Sequence, residues 1–108
     1  MKLRPLTHIQ ARELLAELRE MADLVPGPAP EVLRRAKEIR FQVRGQDWAT
    51  PYLAEKVDAA YRDLEVLLST RRWREVSSLD TLRHEIKAAC ARARAGLERR
   101  SRGRLTSA

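Results

Sequence analysis

The stretch that decides the fold is TPYLAEKVDAAYRDLEVLL, residues 50 to 68. Thr50-Pro51 reads as a helix start: a threonine hydroxyl can accept from an unpaired first-turn amide, and proline at the first helical position gives up no hydrogen bond. Behind it Leu53, Val57, Ala60, Leu64, Leu67 and Leu68 recur at spacings of four and three, while Glu55, Asp58 and Glu65 fall on the opposite side. Residues three and four apart share a helix face, so this is an apolar seam, and a seam of this kind is stable only against partners with the same pattern.

The partners are present. Thr7-x-x-Gln10 has the form of a capping box, and Ala11, Leu14, Leu15, Leu18, Met21, Ala22 and Val25 follow at helical spacing, predicting a helix over 8–25. Pro26-Gly27-Pro28-Ala29-Pro30 ends it, since proline lacks an amide donor and clashes with the preceding turn. A second helix over 31–44 turns Val32, Leu33, Ala36, Ile39 and Val43 inward, with Gly45 as its stop. After the helix over 51–69, Ser77 or Ser78 can cap a fourth over 78–100, whose inner stripe is Leu79, Leu82, Ile86, Ala89, Cys90, Ala93 and Leu97. Residues 70–77 read equally as a frayed turn, a short helix or a loop, and 101–108 as a flexible basic tail. Amphipathic helices joined by short connectors favour antiparallel neighbours. The expected fold is therefore all-α, a single domain over 1–100 built as a four-helix antiparallel bundle, or two packed helical hairpins.

Composition agrees. Alanine, leucine, glutamate and arginine dominate, and only five aromatic residues are present in 108, which favours helix and gives a sheet little to pack. No uncharged run approaches the ~20 residues needed to span a bilayer. The first eight residues hold no apolar leader, and one cysteine cannot form an internal disulfide. The expectation is a cytoplasmic protein with no membrane attachment.

Catalytic groups are scarce. His8, His84 and Cys90 are the only histidines and cysteine, and they lie at no metal-ligand spacing. Cys90 belongs to the inner stripe of its helix and reads as a small core residue. Glu13, Glu17 and Glu20 form an acidic stripe on the first helix, but nothing in the sequence gathers carboxylates into a cleft where their proton affinities would separate. The four glycines are isolated and form no phosphate loop. We expect no enzyme, no cofactor and no metal.

Charge is the positive signal. Between residues 70 and 108 lie eleven basic residues against four acidic ones, which equals the net charge of the whole chain, +7. Arginine outnumbers lysine eighteen to four, and its planar fork of donors suits phosphate or carboxylate. Helix geometry locates three clusters of candidate polyanion contacts. On the second helix Arg34, Lys37, Arg40, Phe41 and Arg44 fall within an arc of roughly 120° facing away from the core stripe at 100° per residue, an aromatic ring among four cations. Arg71, Arg72, Trp73 and Arg74 repeat the theme near the junction before the fourth helix. Along that helix Arg83, Lys87 and Arg94 share one flank, while Arg92 and Arg99 lie across from them. Cations dispersed in this way suit backbone contact better than base reading, which needs several side chains converging on base edges.

These features predict a basic helical-bundle subunit that contacts the backbone of RNA or single-stranded DNA without strong sequence specificity, within a larger ribonucleoprotein assembly containing protein partners or copies of itself. In architecture alone the chain is similar to the small helical-bundle subunits of CRISPR effector complexes; the likeness carries over no residue. The alternative is a protein-interaction module or homodimeric adaptor, its arginine-rich faces docking an acidic protein surface and its acidic stripes on helices one and three meeting the basic faces of two and four.

Overall fold

A computed structural model describes residues 2–69 and 78–106, with side chains up to Glu98. Among the described residues the chain is all-helical: α1 (His8–Glu20), continued by a 3-10 turn (Met21–Asp23), α2 (Pro30–Arg44), α3 (Pro51–Leu67) and α4 (Leu79–Thr106). The starts follow the expected chemistry. Thr7 Oγ1 accepts from the Gln10 amide at 3.1 Å and Gln10 Oε1 from the Thr7 amide at 2.9 Å, a complete capping box. Thr50 accepts from the Leu53 amide at 3.1 Å, and Ser78 from the Thr81 amide at 3.2 Å.

The seam of α3 is the core. Leu53, Val57, Ala60, Leu64, Leu67 and Leu68 are all buried, against Leu15 and Leu18 of α1, Ile39 and Val43 of α2, and Leu82, Ile86 and Leu97 of α4 in one cluster. α3 packs most extensively on α4, then α2 on α3 and α1 on α4. Buried Ala11, Ala36, Ala60, Ala89 and Ala93 leave room for the backbones to approach. Full burial of one Leu or Ile contributes about 1.5–3 kcal/mol, so this cluster dominates the stability of the domain.

Two boundaries differ from expectation. α1 stops short of Val25: the helix tightens at Met21–Asp23, and Leu24 turns extended (φ −71°, ψ 157°). Gly27 then takes φ 133°, the one left-handed position among the described residues, a conformation open to glycine because it has no Cβ to clash. The proline-rich connector is pinned to the end of α3. Its Gly27 and Ala29 amides donate to the carbonyls of Leu67 and Leu68 at 3.0 and 2.9 Å, satisfying the end of α3 from outside. At the other end of the chain, the backbone of α4 stays helical past Arg100 to Thr106, where a flexible tail was expected. Arginine and leucine propagate a helix already under way at little cost, and Gly103 is the only poor helix former among the residues added.

One element was not foreseen. Residues 2–6 form an extended arm alongside α2, held by two glutamines one turn apart. Gln42, only 3% exposed, accepts from the Arg4 amide at 2.9 Å and donates to the Lys2 carbonyl at 2.6 Å. Gln46 accepts from the Leu6 amide at 3.1 Å and donates to the Arg4 carbonyl at 2.7 Å. Trp48 Nε1 donates to the Leu6 carbonyl at 3.1 Å, while its ring meets His8 edge to face. The register has a simple origin: four helical residues rise ~6.0 Å and two extended residues ~6.6 Å. Side-chain amides at i and i+4 can therefore pair with alternate residues of an extended chain much as a neighbouring strand would.

Candidate nucleic-acid interface

Packing divides the basic residues into those engaged inside the molecule and those that remain on the surface. Arg83 is engaged: its Nε donates to the Ala22 carbonyl and its Nη2 to the Leu24 carbonyl, both at 2.9 Å, so it staples α4 to the end of α1. Lys87 lies 2.7 Å from the Asp23 carboxylate. Its ammonium, as the hydrogen-bond donor, is the main reason that carboxyl is held below the usual range. Arg94 pairs with Glu98 one turn on at 3.1 Å, and Arg12 approaches the same carboxylate at 3.7 Å. Lys87 and Arg94, with Arg19, line an α1–α4 crevice of about 380 Å³ whose floor includes Leu15 and Cys90, and Glu20 and Asp23 share its rim. Of the α4 flank read as a contact site, Arg83 and Lys87 are thus taken up by the segment that follows α1, while Arg94 is exposed and pairs within α4.

Arg40 is likewise committed. Its Nε donates to Asp58 at 2.7 Å and its guanidinium lies over the Tyr61 ring, 5.1 Å from the centroid. Asp58 sits on the outer side of α3, and α2 packs directly beside it. The groove between them, about 560 Å³, is lined by Glu55, Asp58 and Glu65 as well as Arg40, Arg44 and Arg62, so its acidic wall opposes phosphate. Arg35, next to Arg34, is held bidentately by Glu17 and reaches Glu38 at 3.2 Å. The Arg35 hydrogen bond is the chief reason the Glu17 carboxyl falls below its ordinary range.

Four of the candidates remain outward together. Arg34, Lys37, Phe41 and Arg44 are all exposed, and their spacing of three, four and three places them in one stripe along α2. Phe41 is 40% exposed. Arg34 and Lys37 make no ion pair among the described residues, and Arg44 has only a long one, 3.7 Å to Asp58. The stripe spans ~15 Å of helix axis. Beside it lies a groove of about 320 Å³ lined by Leu3, Lys37, Arg40, Phe41, Arg44 and Gly45.

Arg71, Arg72, Trp73 and Arg74 lie outside the described residues. Cys90 is 3% exposed, and burial pushes its thiol up to about 12, in keeping with a core residue. No group of His, Cys, Asp and Glu able to hold a metal ion occurs among the described residues, and no described helix is long and apolar enough to cross a membrane. Sequence reasoning missed the arm, and so missed Leu3 as a neighbour of the stripe. The signal was Gln42 and Gln46 at i and i+4, a pair that reads as ordinary surface polarity until an extended segment is placed against it.

No protein-family description, no curated protein and no solved structure matches the chain.

Proposed function

We propose that this chain is a non-enzymatic nucleic-acid-binding subunit that contacts the phosphate backbone of RNA or single-stranded DNA through the outer face of α2, as one component of a ribonucleoprotein assembly. The observation that carries the reading is the stripe Arg34-Lys37-Phe41-Arg44, exposed along its whole length while the opposite face of α2 is buried. A row of cations on a rigid helix attracts phosphate at long range and holds it by charge-assisted hydrogen bonds. Such contacts follow the backbone and carry no base sequence.

The alternative, a protein-interaction module, draws on the same charges: Glu17 and Asp58 of the acidic stripes are paired inside the molecule with Arg35 and Arg40, whereas Glu13, Glu20 and Glu55 stay exposed.

The test is the salt dependence of binding to a fluorescent single-stranded oligonucleotide, read by anisotropy. Three phosphate contacts predict that log affinity falls with log salt at a slope of about −2, from ~0.7 per contact on a single strand. Absence of binding at low salt would refute the reading, and so would binding indifferent to salt.

A further inference from the structure

The groove beside the stripe is partly built by the arm, and its composition differs from that of the other crevices. Leu3 lies directly over Gly45: a Cβ at position 45 would stand 2.8 Å from Leu3 Cδ1. Gly45 is in an ordinary right-handed conformation (φ −81°, ψ −3°), so glycine is needed here for the close approach and not for backbone freedom. Leu3 and Phe41 both face the groove and remain 43% and 40% exposed, while Lys37, Arg40 and Arg44 stand around them. At about 320 Å³ it is at the small end of ligand-binding cavities, roughly 300–1,000 Å³. An apolar slot with an aromatic wall and a cationic rim suits a flat ring that carries an anionic chain.

We infer that Leu3 and Phe41 are two walls of a slot for one unpaired nucleobase, and that the N-terminal arm is therefore part of the binding site. The inference rests on the reading of α2 as a phosphate-binding face. The base lies on the Phe41 ring, with Leu3 against its edge or second face, and the flanking phosphates reach Lys37 and Arg44. A base paired in a duplex cannot enter, so the slot selects single strands over duplex where the cations alone would not. The arm's place is set by Gln42 and Gln46 through backbone groups only, which leaves the Leu3 side chain available to the ligand.

The experiment compares oligo(dT), an abasic strand of equal length and a duplex, at one low salt concentration, on the full chain. Stacking of one base predicts that oligo(dT) binds about tenfold more tightly than the abasic strand. Phe41→Ala and Leu3→Ala should each remove most of that preference, bringing the affinity for oligo(dT) close to that for the abasic strand. Gly45→Ala should do the same by displacing Leu3 with no change of charge or aromatic content. Circular dichroism on each variant establishes that the helices are intact. Equal binding of oligo(dT) and the abasic strand would overturn the slot and leave the phosphate-binding face standing, whereas failure of every strand to bind would refute that face itself. A wild-type dimer made monomeric by Phe41→Ala would assign the groove to a second copy, and that too would overturn the proposal.

Discussion

Arg83→Ala removes two hydrogen bonds that run from α4 to the carbonyls of Ala22 and Leu24, each at 2.9 Å. A hydrogen bond from a charged donor contributes about 1.5–3 kcal/mol when buried. Here the residue is only half-buried, Leu24 is exposed, and water replaces part of what is lost. The aliphatic stem of the arginine adds some packing to the loss. The net cost should be about 1.5 kcal/mol. For a domain of this size the urea dependence is about 1.5 kcal/mol per molar, so the denaturation midpoint should fall by about 1 M with an unchanged slope. The same variant should keep its affinity for a single-stranded oligonucleotide to within about twofold, because the guanidinium is occupied by the bundle. An unchanged midpoint together with a large loss of affinity would refute the reasoning and return Arg83 to the ligand-binding residues.

Asp63 supplies a pH test. Burial pushes its carboxyl up to about 6, with repulsion from Glu85 adding to the effect and Arg62 opposing it. A carboxyl raised in the folded state favours folding when protonated, so its ionisation weakens the domain above about pH 6 and that penalty fades as pH falls toward 4. Asp63→Asn should therefore raise the melting temperature near pH 7, by about 5 °C for a solvent-discounted ~1 kcal/mol. The advantage should shrink by pH 5; an advantage independent of pH would contradict the assignment. Cys90 supplies a second check: buried and with its thiol up at about 12, it should resist a thiol reagent at neutral pH in the native protein and react fully in urea. Rapid native labelling would mean that the α1–α4 crevice opens to solvent.

How much of this was legible in the sequence depended on the range of the interactions. The α3 seam and the caps at Thr7, Thr50 and Ser78 are local, and all could be read from spacing and residue type. The early end of α1 could not, because it follows from Arg83, sixty-one positions away from Ala22, and from the connector's bonds to Leu67 and Leu68. The arm carries no periodicity at all; its order comes from Gln42 and Gln46, whose amides matter only once a partner backbone is in place. The candidate site was legible as a face of α2, since helical geometry alone puts Arg34, Lys37, Phe41 and Arg44 together. Which cations remain outward was not, because the partners of Arg40 and Lys87 lie on other helices. The C-terminal charge excess, the plainest feature of the composition, therefore pointed partly to residues that hold the bundle together.

The central claim is that the outer stripe of α2 is the phosphate-binding face. Its most direct test is a comparison of Arg34→Glu/Lys37→Glu with Lys87→Gln/Arg94→Gln, both titrated with the same single-stranded oligonucleotide at low salt. The account predicts at least tenfold weaker binding and a shallower salt slope for the α2 pair, with little change for the α4 pair. Loss of binding confined to the α4 pair, with the α2 pair unaffected, would contradict it.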